Sequence, residues 1–279
     1  MDGDYVLTYL WFRGPAEPQN YWLFLADCVR RLDVDRIAIA WDSHNRRRRE
    51  ILPSYKRRRV VDDEWVAARP QLRAKVQESL QFLPVVAGQV EGLEADDVLW
   101  CWSRTRAGVI VSGDQDLLQC LHPELQWYSP RSGKLRGWDD LRAEGGCEGW
   151  LVQKCLVGDN SDNIAGVPGI GWRRAKLLWQ KYAPVLQQLI TGREVEASDD
   201  RWLSQVIAAR EVVCRNWCLM KLGALIKPAD EIAAELIIQE PIKLFDASRA
   251  RAFVVHEGWH RVLRDWFDIE AIYSRVSAP

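Results

Sequence analysis

Two short β-prone runs that each close on carboxylates constrain this chain more than any other feature: RIAIAWDS over Arg36 to Ser43, and GVIVS over Gly108 to Ser112 with GDQD immediately after it. A parallel strand covered on both faces reads as a brief continuous apolar run. The pattern predicts two such strands, with Asp42 at the end of the first and Asp114 and Asp116 just past the second. Between them, EADDVLWCWSRTR over Glu94 to Arg106 carries acids in its first turn and bases in its last, which suits a helix dipole at both ends. Strands alternating with helices imply an α/β sheet, whose functional groups collect outside the carboxyl ends of the strands.

After Trp150 the texture changes to helical stretches around a Pro/Gly-rich turn, VPGIG at Val167 to Gly171, and Trp172 to Tyr182 resumes helical spacing. From about Ser198 onward the chain reads as mainly helical, without repeats or a low-complexity linker. The expected organisation is an α/β core over 1–150 and a helical unit over 151–279.

With 279 residues, 48% hydrophobic and 28% charged, the chain can bury a full core and lacks the composition of a disordered protein. A formal net charge of −1 excludes a uniformly basic coat, so any grip on phosphate needs local clusters of Lys and Arg. Seven cysteines without CxxC spacing give neither a disulfide framework nor a zinc-finger pattern, and they suit a reducing compartment. No apolar run approaches the roughly 20 residues of a spanning helix. A cytoplasmic monomer without a membrane partner is expected.

The acids fall into four groups: Asp42; Glu94, Asp96 and Asp97; Asp114 and Asp116; and Asp159 with Asp162 in LVGDNSDN. On a helix Glu94 and Asp97 share a face, and on an extended segment Asp114 and Asp116 share a side. Any single acid at a loop end is most simply a cap. Four groups in α/β order, each following or opening a regular element, exceed what capping accounts for. Clustered carboxylates repel unless cations neutralise them, and hard oxygen donors suit Mg²⁺ or Mn²⁺ rather than zinc. Two ions about 3.5–4 Å apart could activate a water and stabilise a leaving oxygen in phosphodiester hydrolysis.

VEGLEADDVL, VSGDQDLLQ and LVGDNSDNIAGVPGIG resemble the successive motifs of the 5′-nuclease family, which includes the 5′-nuclease domain of bacterial DNA polymerase I, phage 5′-3′ exonucleases and flap endonucleases. The resemblance runs from Asp2 to about Tyr182. It implies a PIN-like core with a mainly parallel sheet flanked by helices, a helical arch over 44–75, and a helix–three-turn–helix element over 151–185. It also implies a two-ion site built from Asp2, Asp42, Glu94, Asp96, Asp97, Asp114, Asp116, Asp159 and Asp162. Asp2 and Gly3 match the Asp-Gly pair that closes the family's first strand, yet only Met1 precedes them here. A shortened start, and Val6 to Phe12 standing in for the strand, both stay open.

HNRRRREILPSYKRRR supplies a local basic cluster, with Arg46, Arg47, Arg48 and Arg49 followed by Lys56, Arg57, Arg58 and Arg59. Such a density neutralises DNA phosphates without regard to sequence. Alone it would be a solvated face; the resemblance places it in the arch above the metals. There Lys56 matches a lysine that approaches the scissile phosphate, Arg48 and Arg59 would clamp phosphate, and Tyr55 would stack on a base, with a core tyrosine as the competing reading.

IAGVPGIGWRRAKLL lacks the order of a dinucleotide or nucleoside-triphosphate loop. Gly166, Gly169 and Gly171 would let backbone approach a phosphate, with Arg173, Arg174 and Lys176 reinforcing the contact. The family places K⁺ at such a turn. HEGWH over His256 to His260 satisfies the zinc-peptidase pattern formally, but Gly258 weakens the helix it requires. Cys214 and Cys218 suit a buried apolar stripe, and His44 and His122 suit surface or turn roles. The function expected is a metal-dependent 5′→3′ exonuclease or flap endonuclease acting on DNA flaps, duplex ends, nicks or gaps, and on RNA primers paired with DNA. The alternatives are a DNA-binding protein of the same fold with reduced cleavage, and a metal-dependent ribonuclease.

Overall fold

The computed structural model describes residues 1–15, 17–43, 46–57 and 62–276, and of Arg46 only the backbone. His44, Arg58 and Arg59, singled out above, lie outside the described residues. In chain order come α1 (Gly3–Trp11), α2 (Gln19–Leu32), β1 (Ile37–Ala40), α3 (Arg46–Ile51), α4 (Asp63–Ser79), β2 (Val85–Gly88), α5 (Ala95–Ser103), β3 (Gly108–Val111), β4 (Leu125–Ser129) and β5 (Lys134–Arg136). The mainly helical remainder holds α6 (Gly146–Val157), the two-residue strands β6 (Gly158–Asp159) and β7 (Ile164–Ala165), α7 (Trp172–Ile190), α8 (Arg201–Ala208) and α9 (Arg210–Met220). Helices α10 (Pro228–Gln239), α11 (Ala247–His256), α12 (His260–Arg264) and α13 (Trp266–Val276) complete it.

Strands β1 and β2 run parallel, as do β3 and β4, while β5 returns antiparallel on β4. The two sheets meet through two residues. Asp2 bridges Ala40 in parallel, Ala40 N–H donates to Met1 C=O at 2.9 Å, and Asp2 N–H donates to Val111 C=O at 3.1 Å. Met1 and Asp2 thus occupy the slot between β1 and β3, giving the order β2, β1, Met1–Asp2, β3, β4, β5.

Val6 to Phe12 does not replace a strand. The Asp2 side chain accepts the Tyr5 N–H at 2.9 Å and caps α1, and Val6 and Leu7 are buried from that helix. Capping satisfies an otherwise orphaned donor, and it fixes the helix start beside the sheet.

One apolar cluster packs α5, β3 and β4 against α6, α9 and α10. A second joins α1, α2 and β1 to α11–α13, with Trp22, Trp41, Trp259 and Trp266 inside it. A third fills the space between α6, α7, α8 and α9. The C-terminal helices contact the N-terminal part of the chain: α12 and α13 pack on α2, α10 packs on α5 and β2, and Tyr273 donates its hydroxyl to Trp22 C=O at 2.7 Å. Among the described residues no helix is long and apolar enough to cross a membrane.

Candidate metal centre and nucleic-acid interface

Strand ends and helix starts deliver the acids to one region. Asp42 lies two residues beyond β1 and its carboxylate accepts the Ala95 N–H at the start of α5 at 2.9 Å. Asp2 accepts from Ser112 Oγ at 3.1 Å, which ties it to the end of β3. Asp114 opens the 3-10 turn over Gln115–Cys120, accepting the Asp116 N–H at 2.8 Å. Gly113 is required there, because a Cβ would collide with the Tyr5 ring.

The electrostatics express the convergence. Burial and the charge of Asp42 push the Asp2 carboxyl up to about 7. Burial and Asp114 do the same to Asp116, again to about 7. Asp96 is raised well above the usual carboxylate range by burial, Asp114 and Asp2; Asp42 rises through burial, Asp4 and Glu94. Asp114 thus acts on Asp2, Asp96 and Asp116 together. Buried like charges of this kind call for a cation.

Ammonium groups answer part of that demand. Lys56 Nζ donates to Glu94 at 2.6 Å and stands 3.9 Å from Asp162. Lys154 Nζ bridges Asp116 and Asp159. Burial opposes ionisation of Glu94, but Lys56 and Arg48 outweigh it and hold the carboxyl at about 2. Lys154 likewise outweighs burial at Asp159, which sits at about 2. With these pairs in place, no three His, Cys, Asp or Glu among the described residues form a ready-made metal cage. The donor set nevertheless fits a hard divalent cation: all donors are carboxylate oxygens, and Asp96 Oδ1 is buried without a hydrogen-bond partner.

Several expected site residues have other employment. Asp97 is buried and forms a bidentate pair with Arg48, at 2.5 and 2.7 Å, while also receiving the Glu94 N–H at 3.3 Å as a capping box. The shared helix face of Glu94 and Asp97 is a cap, and Asp96 instead lines the acidic cavity. Arg48 is buried and also donates to Leu219 C=O at 3.0 Å, so it locks α3 onto α5 and α9 rather than clamping phosphate. Arg47 pairs with Asp230 and Leu225 C=O. Tyr55 is buried with its hydroxyl on Glu94 at 2.9 Å, which is the core reading and leaves no face for a base. Arg49 and Arg57 are exposed.

Asp4, Arg69, Arg73 and Lys154 were not found from sequence. Asp4 accepts the Asp42 N–H at 2.8 Å and pairs with Arg69 at 2.8 Å. Arg73, one helical turn on, donates to Asp42 C=O at 2.7 Å. The i, i+4 spacing of Arg69 and Arg73 on α4 was a usable signal, as was a lone lysine within the otherwise buried end of α6.

The glycine turn links β7 to α7. Gly166 sits against Val157, where a Cβ would collide with the carbonyl. Gly169 has φ +73, a conformation that favours glycine, and Gly171 caps α7. Arg173 and Arg174 are exposed and Lys176 half-buried on the first turns of α7. The helix continues past Tyr182, where the backbone breaks (φ −133, ψ 26) ahead of Pro184. HEGWH is divided: His256 ends α11, Gly258 turns at φ +67 and His260 begins α12. His122 holds Ser103 C=O at 2.9 Å in a structural contact. Cys214 is half-buried on Leu189 C=O, whereas Cys218 is exposed and outside the apolar stripe expected of it.

A family model described as "5′-3′ exonuclease, N-terminal resolvase-like domain" matches residues 20–143. DNA polymerase I of Rhizobium leguminosarum is 29% identical over 187 residues, 63% of this chain and 18% of that protein. A 5′-3′ exonuclease of Halalkalibacterium halodurans is 26% identical over 201 residues, 68% of this chain and 65% of that protein. The chain thus spans less than two thirds of both relatives. The T5 5′-exonuclease with bound zinc superposes with a TM-score of 0.67 at 19% identity, covering 86% of this chain and 93% of that one. That likeness is one of fold.

Proposed function

We propose that this chain, whose residues 20–143 match the 5′-3′ exonuclease family model, is a 5′-nuclease: a divalent-metal-dependent 5′→3′ exonuclease or flap endonuclease, hydrolysing DNA phosphodiester bonds at or near 5′ ends on flaps, duplex ends, nicks or gaps. RNA primers paired with DNA present the same phosphates. The observation that carries this reading is the buried, unpartnered Asp96 oxygen, next to Asp2 and Asp116, whose carboxyls burial and like charge push upward. Asp2, Asp42, Asp96, Asp114 and Asp116, with Glu94, Asp159 and Asp162, would hold two Mg²⁺ or Mn²⁺ ions, which when bound supply charge stabilisation to the attacking and leaving oxygens.

The chain's own groups do the rest. Lys56 presents a point charge beside Glu94, where negative charge develops on a reacting phosphate. Arg69 and Arg73 hold Asp4 and the Asp42 backbone, fixing Asp42 just beyond β1. Arg49 and Arg57 offer phosphate contacts, and the turn at Val167 to Gly171 grips duplex backbone, with K⁺ as its companion ion.

The test is cleavage of a 5′-flap duplex with Mg²⁺, with EDTA, and by Asp114→Asn. Near-terminal 5′ products from wild type alone, and only with metal, are expected. Absence of metal-dependent cutting by wild type on flap, gapped and blunt DNA overturns the reading. Tight binding without turnover would favour a DNA-binding role, for which the seating of Lys154 on Asp116 and Asp159 is the motivating observation.

A further inference from the structure

Beyond the glycine turn, α7 carries an apolar and aromatic groove that the nuclease reading does not use. It is lined by Trp172, Arg174, Leu177, Tyr182 and Trp202, and encloses about 660 Å³, within the range of small-molecule and base-sized sites. Trp172 and Leu177 are 47% and 57% exposed. Large apolar side chains left open together mark a contact surface rather than a core.

Trp172 is held ready. Buried Trp150 stacks behind it, with ring centroids 6.5 Å apart and planes at 28°. Trp172 also lines the groove. Across the groove the Arg174 guanidinium lies 3.9 Å over the Trp202 ring, and Arg201 stands 4.9 Å from the same ring. Arg173 adds exposed positive charge at the rim, while Asp200 is engaged by Tyr182 at 2.9 Å and by Lys181 at 3.3 Å. Aromatic faces interleaved with cations fit bases and phosphates in alternation. An uncharged apolar partner would make no use of this cationic rim.

We propose that this groove is a stacking site for an unpaired nucleobase, taking the single-stranded segment that adjoins a duplex held by the glycine turn. The inference rests on the nuclease reading, since it needs that duplex beside it. Stacking tolerates any base, so the site selects strand state and not sequence.

Equilibrium binding in EDTA, where turnover is blocked, tests it. A blunt duplex and the same duplex with unpaired overhangs are compared on the full chain, for wild type, Trp172→Ala, Trp172→Phe and Arg173→Ala. Wild type should prefer the overhang by at least about fivefold, the scale of one stacked base. Trp172→Ala should lose that preference while binding blunt duplex as before; Trp172→Phe should keep most of it; Arg173→Ala should weaken both substrates alike. Independently of any variant, 5-bromodeoxyuridine in the overhang should photocrosslink to a peptide containing Trp172 or Trp202. Wild type that binds duplex without overhang preference, an unchanged preference in Trp172→Ala, or crosslinks only outside the groove overturns the proposal. No DNA binding at all by wild type would instead sink the nuclease reading beneath it.

Discussion

Arg48 and Asp97 show how a residue's chemistry is decided by its neighbours. Both are almost wholly inaccessible and paired at 2.5 and 2.7 Å, and removing one partner of such a pair strands a buried charge. Arg48→Ala should therefore cost about 3–5 kcal/mol of stability. Adding Asp97→Ala should cost less than the sum of the two single changes, read by denaturant unfolding. Strict additivity would place both groups in solvent. Tyr55→Phe removes one hydrogen bond to Glu94 and should cost about 1 kcal/mol with DNA affinity unchanged, whereas a stacking tyrosine would lose affinity and little stability. Sequence spacing could not sort these roles. An aspartate that caps a helix and one that faces a cavity look alike when they stand next to each other, as Asp96 and Asp97 do.

At the scale of elements, β1, β3 and α5 were legible because each carries its own signal: a continuous apolar run, or a dipole-matched helix. VVAG in β2 and LQWYS in β4 gave no such signal, since what makes them strands is pairing with β1 and β3. The first slot of the sheet could not be settled from sequence for a related reason. Met1 and Asp2 fill it with a single bridge, which no periodicity can reveal. The Pro/Gly-rich turn was legible as a turn, but the sequence does not show that its glycines are not equivalent. Gly166 abuts the Val157 carbonyl while the Cβ direction of Gly171 is open. Gly166→Ala should lower the thermal midpoint clearly and weaken duplex binding; Gly171→Ala should stay within about 0.5 kcal/mol of wild type. Equal tolerance of both would contradict the packing described at Val157.

The whole molecule joins an acidic centre to basic surfaces in a chain of net charge −1. Its DNA affinity should accordingly fall steeply with salt, and neutralising Arg57 or Arg173 should reduce the logarithmic slope by about one each. A slope that ignores both changes would remove them from the contact surface. The packing of α11–α13 onto α2 lay beyond local sequence reading, because contacts such as Tyr273 to Trp22 join residues at opposite ends of the chain. The convergence of the acids is equally long-range, yet it was legible through motif order, since an α/β sheet brings its strand ends together whatever lies between them. One measurement tests that convergence most directly: anomalous diffraction from a crystal of the protein soaked in Mn²⁺. Manganese peaks bounded by Asp2, Asp96, Asp114 and Asp116 are the expected result. Saturating Mn²⁺ with no peak there, or with peaks only at surface acids elsewhere, would contradict it.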